Sequence, residues 1–292
     1  MAARSRCGGD DDADTVFRCL CIDHVCLSQE GKPVTLFLRA YLFVLFGFVF
    51  LPIVVSMLFS FNSDRFPTLP MSGFTFEWYN TIFADPDFWR SAKNSLIVSG
   101  STCVIATFLG FCTAYTDYRY SFRGKSLFLA IILLPPTIPL IIIALAMLAW
   151  FSRVGMSGQV ASVIAAHTVL TAPFAMAIIR LRLSQIDESL EAAAWNLGAS
   201  EWRAMREVIL PFCKPAILSS LFLTAAVSFD EFTVAWFVSG LNKTLPVHVL
   251  EIVQGTIDPQ VNAIGTLVFG ISITLVVISQ LLIFFRLQRA SQ

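Results

Sequence analysis

Asp230 and Glu231 stand side by side in the stretch VSFDEFTVAWF, whose other residues suit a lipid interior. An ionised carboxylate in a bilayer is costly unless it faces a polar cavity or a partner. Successive helical residues point roughly 100° apart, so at least one of the two can face a pathway. The chemistry available there is attraction of a cation; the alternative is an ion pair to a neighbouring subunit. His167 lies alone in another apolar run, where a helix–helix hydrogen bond would satisfy it. Cys19, Cys21, His24 and Cys26 are ligand types in close succession. Their C-x-C-x2-H-x-C spacing fits no tetrahedral zinc pattern, so no metal site is expected. The seven cysteines are odd in number and read mostly as free thiols.

The elements around these residues follow from composition. The 292 residues are 56% hydrophobic and 14% charged, against about 25% charged in a soluble domain. The apolar residues gather into runs of the ~20 residues that cross a hydrocarbon core. Six such spans are expected, at 38–60, 95–116, 127–151, 158–180, 212–238 and 262–285. The fold class is an all-α integral membrane protein. Pro135, Pro136 and Pro139 fall in the third span, which is expected to be one kinked helix rather than two. No internal repeat is visible. The net charge of zero points to no nucleic-acid partner.

Orientation follows from the basic residues. With the N-terminus inside, fifteen Lys and Arg fall on inside segments and five on outside segments. Both termini are then cytoplasmic. Residues 1–36 are polar and carry Asp10, Asp11, Asp12 and Asp14. They lack a signal-peptide pattern, and read either as a disordered tail or as sequence ahead of a start nearer Val34. The membrane domain is 37–292. Its outside loop 61–94 is rich in aromatics, including Phe74, Phe76, Trp78, Tyr79 and Trp89, which suit the membrane interface. Gly124-Lys125-Ser126 has the form of a phosphate-loop end. Arg119 occupies the glycine position five residues earlier and no strand precedes it, so the cradle of amides cannot form. No nucleophile–base set is present, and no catalytic residue is expected.

The inside loop 181–211 contains LEAAAWNLGASEWRAMREVILP at 190–211. On a helix over 187–197, Leu190, Ala193, Ala194 and Leu197 share one face. Asp187 or Ser189 can cap its start, and Gly198 ends it. A second short helix, 200–209, leads to Leu210-Pro211. By its pattern alone this helix-turn-helix is either an interfacial connector or a docking element.

The segment is similar to the coupling motif of ATP-binding-cassette importer permeases, E-A-A-x3-G-x9-I-x-L-P. Nine residues separate Gly198 from Val208-Ile209-Leu210-Pro211. The motif's Glu-Ala-Ala falls on Ala192, Ala193 and Ala194, with Glu191 one position early, a rotation of roughly 100°. The resemblance implies a type I importer permease-like fold: six transmembrane helices, with a cytoplasmic coupling helix between the fourth and fifth. It further implies that Glu191, Ala192, Ala193, Ala194, Gly198, Ala199, Ser200, Leu210 and Pro211 couple the membrane helices to a cytoplasmic ATPase.

Within that family the chain resembles spermidine/putrescine importer permeases. The stretches SFNSDRF (60–66), GFTFEWY (73–79), YRYSFRGK (118–125), SFDEFTVAWFVSG (228–240), LPVHVLE (245–251) and DPQVNAIGT (258–266) carry this resemblance. It implies a bacterial inner-membrane transport subunit that is not itself an enzyme and holds no cofactor, ATP and Mg residing on the ATPase. The implied partners are a second related permease, two ATPase copies, a periplasmic binding protein and the lipid bilayer. Asp230 and Glu231 would meet the amines of a polyamine. The alternatives are an opine or other small organic ion in the same importer class, and a secondary cation-coupled transporter, which would show repeats and discontinuous helices.

Overall fold

Apolar runs of this length become helices because a backbone in lipid must satisfy its own hydrogen bonds. The computed structural model describes residues 32–64, 70–255, 260–270 and 273–274. Among these, four helices are long and apolar enough to cross a membrane: Phe37–Phe59, Pro86–Arg119, Val160–Leu183 and Glu201–Asp230. Leu140–Arg153 is apolar but shorter. Apart from one isolated bridge, Asn62 to Phe74, the regular structure of the described residues is helical.

Helix α1 (Lys32–Phe59) starts ahead of the expected domain boundary at residue 37. Up to Ser56 it belongs to one compact unit, and the chain from Met57 belongs to another. Phe37, Phe43, Val44 and Phe48 are exposed on it. A helix apolar all round suits lipid.

After the last turn of α1, the second unit continues with α2 (Glu77–Ala84) and α3 (Pro86–Arg119). Trp78 Nε1–H donates to the Asn62 carbonyl at 2.8 Å, and Ser60 and Tyr79 hydroxyls lie 2.7 Å apart. These bonds tie the aromatic loop down, while Phe74, Phe76 and Trp89 remain exposed. Asp85 caps α3 by accepting from the Asp87 N–H at 2.9 Å, and Pro86 at the first turn costs no hydrogen bond.

The third expected span is two helices, α4 (Lys125–Leu133) and α5 (Leu140–Arg153), separated by a 3-10 turn at Pro135–Thr137. This corrects the single kinked helix. Three prolines within five positions remove three N–H donors. Ile138 is extended (ψ 137°), as a following proline ring requires.

α6 (Val160–Leu183) leads to α7 (Glu188–Asn196) and α8 (Glu201–Ala204). α8 continues through a wide π turn at Met205–Ile209 into α9 (Leu210–Asp230). The expected separate helix at 200–209 is therefore the first part of a helical path running from Glu201 to Asp230. The wide turn precedes Pro211 and Pro215, whose rings leave the carbonyls four residues back without donors.

The fifth expected span, 212–238, is not continuous either. α9 stops at Asp230, and α10 (Thr233–Val238) follows after a break. Then come α11 (Leu245–Gly255) and a helix over 260–270, α12. Most of the expected sixth span lies outside the described residues, as do the N-terminal cysteine cluster and the acidic run.

α3, α6 and α9 pack together. α3 buries Ser91, Ser95, Ser99, Thr102, Ala106, Gly110 and Ala114. Lipid supplies no hydrophobic drive for helix pairing, so close backbone approach through small residues holds such pairs together. A Cβ placed on Gly110 would lie 2.7 Å from both Ala175 Cβ and the Met176 nitrogen. At the opposite end from α7, Ile82, Phe88, Leu245, Ala263 and Ile264 form a cluster joining α2, α3, α11 and α12.

Candidate functional site

The loop between α6 and α9 is built from local capping chemistry. The Asp187 carboxylate accepts from the Ser189 N–H at 2.9 Å and starts α7. That backbone hydrogen bond holds its pKa below the ordinary aspartate value. α7 ends where Gly198 takes φ +82°, a conformation that costs other residues steric strain. The Gly198 N–H donates to the Trp195 carbonyl at 2.8 Å and the Ala199 N–H to the Ala194 carbonyl at 3.0 Å. This pair of bonds is the Schellman closure. Ser200 Oγ then accepts from the Arg203 N–H and starts α8.

The face that carries the apolar stripe points away from the protein. Leu190 is 48% exposed and Leu197 89% exposed. Ala192 and Ala193 are exposed too, and Ala194 is half-buried. The carboxylate goes the other way: Glu191 is only 5% exposed. Its Oε2 accepts from the Tyr118 hydroxyl at 3.3 Å and lies 4.0 Å from the Arg119 guanidinium. Arg119 also pairs with Glu201 at 3.6 Å and sits 4.4 Å above the Trp195 ring. The one-position shift of the glutamate therefore turns it toward the end of α3. Gly198 and Ser200 are exposed, Ala199 and Leu210 half-buried, and Pro211 exposed.

The base of the loop is apolar. Ala114, Ile179, Leu183, Ile186, Ile209 and Cys213 form one buried cluster. Arg182 bridges the loop's entry and exit, donating from Nε to the Phe212 carbonyl at 3.2 Å, with its guanidinium 4.0 Å above the Phe212 ring. Asp117 is buried on α3, 2.6 Å from Arg180 Nε and 3.1 Å from Lys125 Nζ. Sequence reasoning missed Asp117. Its signal was an acidic residue within a few positions of the span end where the basic residues cluster.

The acidic pair sits at the break after α9. Asp230 is its last residue and is exposed; Glu231 is extended (φ −73°, ψ 115°) and half-buried. Glu231 Oε1 accepts from the Val234 N–H at 2.8 Å, capping α10. Because the helix stops, the two carboxylates do not diverge as on a continuous helix. Both line one open cleft of about 400 Å³, together with Ala226 and Val227. Asp230 lies roughly 24 Å along α9 from Lys214, so the pair is near the far end of α9 rather than at mid-span. α10 is held by burying Val234, Ala235 and Val238 against Phe151 and Val163.

His167 makes the helix–helix bond expected of it: Nδ1 is 2.9 Å from Ser228 Oγ, and the ring is fully buried. This ties α6 to α9 two residues before Asp230. Among the described residues no group of three or more His, Cys, Asp or Glu is placed to hold a metal.

Residues 106–292 match the family described as binding-protein-dependent transport system inner membrane component. The chain is 35% identical over 248 residues to the spermidine/putrescine transport system permease protein PotC of Haemophilus influenzae, covering 84% of this chain and 96% of the relative. It is 30% identical over 237 residues to the putrescine transport system permease protein PotI of Escherichia coli K12, covering 78% and 84%. A crystal structure of a bacterial ABC transporter involved in import of the acidic polysaccharide alginate has a chain that superposes with a TM-score of 0.70 at 18% identity, over 88% of this chain and 97% of that one.

Proposed function

The chain belongs to the family of binding-protein-dependent transport system inner membrane components, and from that premise we propose that it is the permease subunit of an ATP-driven polyamine importer. It forms half of a path for putrescine or spermidine delivered by a periplasmic binding protein. The observation that carries the substrate class is the likeness, along nearly the whole length, to a permease named for spermidine and putrescine. Two carboxylates lining an open cleft at a helix break suit the ammonium groups of such a substrate. As a membrane permease the chain is a transport subunit rather than an enzyme. ATP and Mg belong to two copies of a separate ATPase, and a second, related permease completes the path.

The outward apolar face of α7, with Leu190 and Leu197 exposed, supports docking to that soluble ATPase. Glu191, Ala192, Ala193, Ala194, Gly198, Ala199, Ser200, Leu210 and Pro211 then form the coupling element, and Asp230 and Glu231 the cation-attracting part of the path. The basic-residue bias supports cytoplasmic termini and a cytoplasmic α7, in a fold of six spans. Broken helices are also a feature of secondary transporters. The family and the unexplained outward face of α7 weigh against that reading, and an opine or other small organic ion remains the second substrate class.

The test is uptake by the complete complex in proteoliposomes, with the binding protein outside, ATP inside and labelled spermidine or putrescine. Saturable, ATP-dependent uptake competed by unlabelled polyamine is expected. A complex that hydrolyses ATP in response to its loaded binding protein, yet takes up no polyamine, moves the substrate to another organic ion.

A further inference from the structure

Resting on the coupling reading of α7, we propose that α3 is a connecting rod: Arg119 couples it to the loop at one end, and Asn94 and Ser95 couple it to the segment after the acidic break at the other. Arg119 is the positioning residue through which loop movement enters α3.

α7 and α8 are joined through the chain to α6 and α9, and in no such way to α3. Yet one α3 side chain meets both loop helices. Arg119 contacts Glu191 and Trp195 of α7 and Glu201 of α8. Beside it the Tyr118 hydroxyl donates to Glu191 at 3.3 Å, and the junction otherwise opens onto a cleft of about 510 Å³ lined by Tyr118, Arg119, Ser189, Glu191, Ala192 and Trp195. The contacts of α3 with α7 and α8 themselves are thus polar and cation–π, while the apolar cluster that Ala114 shares with Ile186 and Ile209 lies at the base of the loop. Ion pairs of 3.6–4.0 Å with a partly exposed member add little stability. What they supply is a defined contact point.

The end of α3 is firm enough to receive it. Asp117, two residues before Arg119, is held between Arg180 of α6 and Lys125 of α4. At the other end, Asn94 Nδ2 donates to the Lys243 carbonyl at 3.0 Å, and Ser95 Oγ accepts from the Leu245 N–H at 2.7 Å. Lys243 lies in the short stretch after α10, whose Val234 N–H donates to Glu231, and Leu245 opens α11. Ser95 and Arg119 are roughly 36 Å apart along the helix. One uninterrupted helix thus spans from the loop to the residues between α10 and α11, whereas α4–α5 and α9–α10 are both broken. Coupling between distant sites travels through rigid elements of this kind.

The experiment uses the whole importer in proteoliposomes, reading uptake per ATP hydrolysed with whichever organic ion the unaltered complex carries. Arg119→Ala is expected to co-purify with the ATPase, keep its basal hydrolysis and lose about tenfold in uptake per ATP. Arg119→Lys keeps the charge without the planar, stacking guanidinium, and should recover part of the loss. Asn94→Ala with Ser95→Ala, far from the loop, should uncouple in the same way. Combining both ends should add little, since one rod is broken once. Unchanged uptake per ATP in Arg119→Ala overturns the proposal. If Arg119→Ala fails to assemble, the Asn94/Ser95 variant decides: uncoupled supports the rod, and fully coupled overturns it. An unaltered complex whose ATPase never responds to a loaded binding protein sinks the parent reading instead.

Discussion

The loop around α7 and the break after α9 treat their carboxylates in opposite ways. At the loop, Glu191 is buried against Tyr118 and Arg119 while leucines are left outside. At the break, Asp230 stands exposed at the end of an apolar helix, and Glu231 spends one oxygen on a backbone amide. Charge meets charge in the first case and backbone in the second. The Arg119 pairs, at 3.6 and 4.0 Å with a partly exposed guanidinium, are of the kind that adds little stability. The Val234 amide lies at a buried residue, where an unpaired N–H is costly, so the carboxylate that accepts from it fixes the geometry of the break. Of the acidic pair, Asp230 is thus the exposed carboxylate, and Glu231 the one held by a backbone amide.

The most damaging way to break this contrast is at the turn of the loop. Gly198→Pro removes the N–H bonded to Trp195 and cannot take φ +82°. Uptake should fall to background while membrane insertion and span protection are kept. Normal uptake in that variant would end the assignment of α7 as the coupling element. A smaller effect should separate the two acids. Asp230→Asn is expected to lower cation uptake about tenfold, or ~1.4 kcal/mol. Glu231→Gln retains an acceptor oxygen for the Val234 N–H and should transport near the unaltered rate, whereas Glu231→Ala should not. Equal losses in Asp230→Asn and Glu231→Gln would show that both charges are used, and the division of roles would be wrong.

The smallest effect concerns the start of α7. The Asp187 pKa is depressed by the Ser189 N–H, so the folded loop favours the carboxylate. Its contribution is complete above the ordinary aspartate range and is lost as pH falls through the depressed folded-state value. Amide exchange over 188–192 should quicken only below that range. Asp187→Asn, which also caps, should flatten the dependence. Acceleration near neutral pH, or a dependence that persists in Asp187→Asn, would assign the effect to another group.

Much of the architecture was legible from residue types. Apolar length located the spans near α1, α3, α6 and α9. The glycine at 198 and the carboxylate at 187 placed the ends of α7, because caps and left-handed turns are local chemistry. The same locality misled at the third span. Three prolines were recognised, but whether neighbours would hold the chain in one bent helix or let it part could not be read from the prolines themselves. The break at Asp230 was missed for a related reason, since Glu231 and Thr233 look like continuing helix until the Val234 amide and its buried neighbours are in place.

By itself the amino-acid sequence determined that the chain is a helical membrane protein with an amphipathic two-helix loop and a carboxylate pair in an apolar stretch. These follow from hydropathy, periodicity and capping, which act over a few residues. Only the tertiary structure decided that Glu191 faces inward and Leu190 and Leu197 outward, that Asp117 is neutralised by Arg180 and Lys125, and that Glu231 is engaged while Asp230 is open. Those outcomes depend on which side chains distant in sequence become neighbours. A helical stripe states that two faces differ; it takes the packing of α3 against α6 and α9 to say which face looks where.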